Sequence, residues 1–177
     1  MDFHTLFRYC PRCGSGEFIT NNEKSKRCRD CGFVYYINPS AATVAVIVNE
    51  QNELLVVRRA KEPAMGTLDL PGGFSDMGET SEEGVAREVM EETGLQVTHT
   101  EFLFSVPNVY RYSDLDIPTM DMFYRCQVSD TQGARGMDDA AEVMWIPLSE
   151  VQPADFGLTS IRRGVELLLA SSIPYTK

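Results

Sequence analysis

Residues 72–95 read GGFSDMGETSEEGVAREVMEETGL, and three of the glutamates, Glu88, Glu91 and Glu92, stand three and four positions apart. On a helix that spacing stacks carboxylates on one face, where like charges repel by about 0.2–0.5 kcal/mol per pair. The segment is otherwise built as a helix. Thr80 with Glu83 three residues on is a capping-box pattern, Gly94 suits a C-terminal stop, and Val85 and Val89, with Ala86 and Met90 beside them, make an apolar stripe. Gly84 inside it costs roughly 1 kcal/mol relative to alanine, which close packing is expected to offset. Arg87 is the only basic residue of the stretch, and the helix follows a tight Pro71-Gly72-Gly73 turn. Two readings are open on spacing alone. The glutamates are a solvated face, or they are an oxygen-donor patch for Mg2+ or Mn2+, whose binding relieves the repulsion.

Outward from the helix, AATVAVIVNEQNELLVVRRA from Ala41 predicts two strands around a polar turn, and KEPAMGTLDLPGGF reads as loop and turn. Further strands are expected at HTEFLFSV, TMDMFYRCQV and EVMWIPL, and a last helix around SIRRGVELLLASS. The segment PNVYRYSDLDIP is expected to be a long aromatic loop lining a pocket.

At the other end, CPRC (Cys10, Cys13) and CRDC (Cys28, Cys31) form two C-x2-C pairs, each followed by a glycine, Gly14 or Gly32. Such pairs supply four sulfur ligands to one tetrahedral zinc, and a ribbon this short depends on its metal for folding. A disulfide pairing is the alternative, disfavoured without a secretion signal. The expected organisation is a four-cysteine zinc ribbon over residues 1–37 and a second domain over 38–177, with FVYYINPS as the bridge. The fifth cysteine, Cys126, reads as a small buried strand residue.

The net charge of −10 argues against a broad basic surface for nucleic acid, although EKSKRCRD is locally basic. It does not argue against an anionic substrate, because divalent cations between carboxylates and phosphates invert the local field. No apolar run approaches the ~20 residues of a membrane span, and MDFHTLFRYC lacks a signal-peptide pattern, so a cytoplasmic protein is expected.

Gly73, five residues, Glu79, seven residues and then Arg87-Glu88-Val89-Met90-Glu91-Glu92-Thr93-Gly94-Leu95 match every fixed position of the Nudix hydrolase signature, Gx5Ex7REUxEExGU. With LPGGF before it and EVMWIPLSEV downstream, the resemblance runs from about Ala41 to the C-terminus. It implies an α+β fold, an α/β/α sandwich around a mixed sheet, that hydrolyses a nucleoside diphosphate linked to a further moiety. It also implies that Glu88, Glu91 and Glu92 ligate the cation, with the Gly73 carbonyl as an extra ligand. Arg87 would orient the carboxylates, Glu79 would support the loop–helix geometry, and Glu142 resembles a downstream metal-binding or base glutamate. The alternative for Glu142 is a surface strand-edge residue.

A zinc ribbon before such a domain resembles the NADH pyrophosphatase branch and implies a homodimer. That branch carries a Ser-Gln-Pro-Trp run after the box. Here the matching residues are Ser105-Val106-Pro107-Asn108, so Ser105 and Pro107 remain, the glutamine and the tryptophan do not, and the signature is broken. Tyr110 and Tyr112 in NVYRY, with Tyr35 and Tyr36 as weaker candidates, could stack on a base or nicotinamide ring, or serve as packing residues. The expected substrate is a dinucleotide such as NADH, FAD or ADP-ribose. The competing readings are a nucleoside triphosphate or diadenosine polyphosphate hydrolase, and a non-catalytic nucleotide sensor that uses the ribbon for partner or nucleic-acid contact.

Overall fold

A computed structural model describes residues 3–171. The chain divides into two compact units, residues 1–40 with 109–118, and residues 41–108 with 119–177.

In the first unit a single helical turn, α1 (Phe3–Leu6), precedes three antiparallel strands, β1 (Phe18–Asn22), β2 (Ser25–Cys28) and β3 (Val34–Tyr36), in the order β1-β2-β3. Its buried core is Cys10, Phe18 and Cys28, with Phe7, Cys31 and Phe33 packed around them. So small a core cannot offset the chain's ordering entropy unaided. Lys26 ties α1 down from β2. Its buried ammonium donates to the carbonyls of His4 (2.9 Å) and Phe7 (2.6 Å) and lies 5.2 Å from the centroid of the Phe18 ring.

The second unit holds β4 (Ser40–Val46), β5 (Glu53–Arg59), β6 (Leu68–Asp69), β7 (Gly72–Phe74), α2 (Ser81–Thr93), β8 (Val97–Tyr112), β9 (Leu115–Val128), β10 (Ala140–Pro147) and α3 (Thr159–Ala170), with the β8–β9 tip counted in the first unit. Strand order is β7-β4-β9-β8 in one sheet and β10-β5-β6 in the other. Period-two alternation sorts the side chains into two layers. Val44, Val46, Leu54, Val56 and Phe123 pack with Ile161, Val165 and Leu168 of α3. The intervening Ala45, Ile47, Leu55 and Tyr124 pack with Val85 and Val89 of α2. Helices therefore cover both faces, which is the α+β sandwich the sequence implies. Each fully buried Val, Leu, Ile or Phe contributes roughly 1.5–3 kcal/mol, so this unit carries its own driving force. Cys126 is part of the α2 layer, and burial pushes its thiol up to about 12.

The capping box forms as the sequence predicts. Glu83 N–H donates to Thr80 Oγ1 (3.2 Å), Thr80 N–H donates to Glu83 Oε2 (2.7 Å), and Gly94 ends the helix in the left-handed region at φ 71°. The last carbonyls of α2, on Glu92 and Thr93, accept from the N–H groups of Met137 and Arg135. Two expectations need correction. PNVYRYSDLDIP is not a long loop: β8 and β9 run through it and meet at Ser113-Asp114, whose φ values of 49° and 62° make the tight twisted turn that hairpins favour. Pro107 reads as a strand breaker, but β8 is a sheet edge, where a missing N–H is tolerated. The stretch KEPAMGTLDLPGGF contains the short strands β6 and β7, and β7 pairs antiparallel with β4 through Thr43↔Gly73 and Val44↔Gly72.

Candidate active site

Arg87 organises the glutamate helix. All five N–H groups of its guanidinium find acceptors. Nε and Nη2 form a fork onto Glu79 (3.1 and 2.8 Å), Nη1 donates to Glu88 Oε1 (2.9 Å) and Glu91 Oε2 (3.0 Å), and Nη2 also donates to the Phe74 carbonyl (3.1 Å). The charge-assisted fork holds Glu79 below the usual carboxylate range, with the Asp76 N–H adding to it. The bonds to Glu79, then Glu88 and Glu91, hold the guanidinium proton more tightly still.

The glycines make room for these carboxylates. A Cβ on Gly73 would lie 2.5 Å from Glu88 Oε1 and 2.9 Å from Oε2, so the Glu88 carboxylate occupies the space a side chain would need. A Cβ on Gly84 would lie 2.9 Å from Glu79 Oε1, which is the close packing that its position inside a helix calls for. Gly72, at φ 156°, passes so close to β4 that a Cβ would lie 2.1 Å from the Thr43 carbonyl oxygen. Its N–H donates to Glu92 Oε2 at 3.1 Å.

Burial dominates the electrostatics of the two inner acids. Glu88 is raised by desolvation despite Arg87. Glu92, 8% exposed, is pushed up to about 8 by desolvation; the Gly72 N–H opposes the shift, and the charges of Asp69, Glu88 and Asp139 add to it. Asp69 is likewise raised by burial, although Arg59 Nη1 donates to it at 2.5 Å. Glu91, by contrast, is half exposed. Glu88 and Glu91 accept from Arg87 and Glu92 accepts from the Gly72 N–H. The donor set is hard oxygen, partly desolvated and short of positive charge, which fits Mg2+ or Mn2+.

The cysteines form the tighter cluster. Among the described residues, Cys10, Cys13, Cys28 and Cys31 are the one group of three or more His, Cys, Asp or Glu side chains whose ligand atoms gather within 4.8 Å. Sγ–Sγ distances are 3.6 Å for Cys10–Cys31 and 3.7 Å for Cys13–Cys28, too long for disulfides and close to the edge of a tetrahedral four-sulfur zinc site, about 3.8 Å. The two knuckles repeat one geometry. Gly14 and Gly32, at φ 76° and 73°, donate to the carbonyls of Cys10 and Cys28, while Cys10 and Cys28 N–H donate to the carbonyls of Ser15 and Phe33. The thiols share their protons unequally: the Cys31 and Asp30 N–H groups help to lower Cys28 to about 7, while Cys13, against the Ser15 N–H, is pushed up to about 12 by the neighbouring thiols.

The remaining predicted residues are on other elements. Glu142, on β10 opposite Arg58, makes an exposed cross-strand ion pair at 3.2 Å. Pro107 is exposed on β8. Tyr36, Tyr110 and Tyr112 belong to the first unit, where Tyr36 and Tyr112 are exposed. Sequence reasoning missed Asp69, buried with Arg59 as partner, and Asp121, which accepts from Thr119 Oγ1 (2.6 Å) and Asn108 Nδ2 (3.2 Å). Asp69 stands in a two-residue strand and Asp121 among other polar residues of β9, with no pattern that separates either from a surface position.

A capped glutamate helix following a diglycine strand, set in an α+β sandwich, defines the Nudix class of hydrolase folds. The chain belongs to that family, and the NUDIX domain matches residues 38–165. Over 148 residues it is 28% identical to the NAD-capped RNA hydrolase NudC of Vibrio parahaemolyticus, covering 82% of this chain and 53% of that protein. With NudC of Vibrio cholerae it shares 34% identity over 102 residues, 56% of this chain and 36% of the relative. The chain thus spans about half the length, or less, of the curated relatives it matches. Among solved structures, a NUDIX hydrolase from Nitrosomonas europaea superposes with a TM-score of 0.69 at 23% identity, covering 92% of this chain and 90% of that one. The NUDIX domain of Shewanella oneidensis NrtR, complexed with ADP ribose, gives 0.60 at 24% identity, with 75% and 88% covered. Both are likenesses of fold.

Proposed function

We propose that this chain hydrolyses the diphosphate bond of a nucleoside diphosphate linked to another moiety, and that dinucleotides such as NADH, FAD or ADP-ribose are its preferred substrates. The observation that carries the proposal is the saturated Arg87, which gathers Glu79, Glu88 and Glu91 against a strand whose Gly73 leaves space for Glu88. Glu88, Glu91 and Glu92, with the Gly73 carbonyl, would hold Mg2+ or Mn2+. A bound cation there neutralises the diphosphate, polarises phosphorus and lowers the pKa of water. Arg87 keeps the carboxylates in register, and Glu79 locks Arg87. The names of the NudC relatives favour a substrate with a nicotinamide dinucleotide end, including NAD-capped RNA. Tyr36, Pro107, Tyr110 and Tyr112 are assigned to substrate contact, and Glu142 to metal or base.

Zinc in the four-cysteine ribbon of residues 1–37, ahead of a hydrolase domain over 38–177, completes the reading. The protein is taken to be a cytoplasmic homodimer with no membrane association and no general nucleic-acid affinity. No helix among the described residues is long and apolar enough to cross a membrane. The test is a hydrolysis screen in Mg2+ and Mn2+ over NADH, NAD, FAD, ADP-ribose, an NAD-capped oligoribonucleotide, diadenosine polyphosphates and nucleoside triphosphates. Preferred cleavage of a dinucleotide to two mononucleotides is expected. Preference for triphosphates would overturn the substrate assignment, and binding without turnover would replace the enzyme with a sensor.

A further inference from the structure

Thr43 is 1% exposed, and its Oγ1 is buried without a hydrogen-bond partner among the described residues. A buried unpaired hydroxyl typically costs about 1–3 kcal/mol, so it calls for a role. Its place in the sheet supplies one. Thr43 shares the face of β4 with Ala45, which packs in the α2 layer. Directly across the ladder it pairs with Gly73. Opposed residues of an antiparallel pair project to the same side with Cβ positions roughly 5 Å apart. On that side the Cβ position of Gly73 lies within 2.9 Å of both Glu88 oxygens. The ladder therefore sets the Thr43 side chain on the same side of the sheet as the Glu88 carboxylate, beside the position at Gly73 that the carboxylate fills. Arg87 engages Oε1, while Oε2 has no protein donor among the described residues.

We infer that Thr43 is a positioning residue for Glu88: its hydroxyl is the donor that steadies Oε2 when the carboxylate turns from Arg87 to a divalent cation. The inference rests on the reading of α2 as a cation site. It gives a use to a threonine where the surrounding strand is apolar. A hydrogen bond behind a ligating carboxylate fixes its orientation, and losing such a partner typically weakens metal binding 10–100-fold.

The test is Mn2+ binding, followed by electron paramagnetic resonance, to wild type, Thr43→Val and Thr43→Ser, with the metal-free Tm of each. Valine keeps the shape and removes the donor, whereas serine keeps the donor. Thr43→Val is expected to raise the Mn2+ Kd about tenfold with a metal-free Tm at or above that of wild type, and Thr43→Ser to stay within about twofold of wild type. An unchanged Kd in Thr43→Val overturns the assignment, as does a Thr43→Ser variant as weak as Thr43→Val. Should valine also lower the metal-free Tm, retention of affinity by serine still supports the donor role. Wild type that binds no Mn2+ would instead defeat the cation-site reading, and the role of Thr43 with it.

Discussion

The ribbon and the sandwich both hold like charges together, by opposite means. In the ribbon, four sulfur ligands converge around a core of Cys10, Phe18 and Cys28, so the ligands themselves make up much of what is buried. In the sandwich, the apolar layer of Val85 and Val89 fixes α2, and Arg87 carries the countercharge for Glu79, Glu88 and Glu91. On the proposed reading, one metal would stand in for a core and the other would be held by a core. Dependence of folding on metal and dependence of chemistry on metal are thereby separable within one chain.

The largest effect expected from this contrast is on the ribbon. Structural zinc contributes an apparent ~10–16 kcal/mol in small metal-folded modules, so Cys28→Ala or zinc chelation should abolish amide-exchange protection across β1–β3 while α2, β4 and β5 stay protected. Equal loss in both units would break the comparison. Next comes Arg87→Lys, which keeps the charge but cannot reproduce five bonds in a planar fork. Turnover should fall about 10–100-fold with little change in Tm, read by steady-state kinetics and calorimetry. Full activity would show that the network is ornamental.

A smaller and purely structural effect is expected at Gly164 of α3, where a Cβ would lie 2.2 Å from the Phe123 ring. Gly164→Ala should destabilise by about 1–3 kcal/mol in urea unfolding, with the ribbon's zinc content unchanged. The smallest concerns Glu142. Its exposed pair with Arg58 contributes at most about 1 kcal/mol, so Glu142→Gln should barely move the urea midpoint. The kinetics of the same variant sharpen its role, because a loss of about 100-fold or more in turnover is what removal of a general base produces.

Legibility in the sequence follows the range of the physics. The knuckle cysteines and the caps of α2 are set by contacts a few residues apart, so spacing alone predicts them. Glu88, Glu91 and Glu92 are local in the same sense, and their crowding around a single arginine is visible in the linear sequence. Thr43, Asp69 and Asp121 draw their significance from pairing across the sheet or from burial against distant partners, and a linear pattern carries neither. The β8–β9 hairpin was obscured for a local reason. Its turn uses Ser113-Asp114 rather than an Asn-Gly pair, and Pro107 and Pro118 read as breaks although both are accommodated within strands. Gly84 reads as a defect until the Glu79 carboxylate is found lying against it.

The most direct test of the central claim is a Mn2+ titration, followed by electron paramagnetic resonance, of zinc-loaded wild type and Glu91→Gln. Glu91 is the most exposed of the three helix glutamates, so the substitution leaves both apolar layers untouched. The account predicts saturable Mn2+ binding by wild type, strongly weakened in Glu91→Gln, with four-sulfur zinc retained in both. Undiminished Mn2+ binding by Glu91→Gln, or Mn2+ that binds only by displacing zinc from the ribbon, would contradict it.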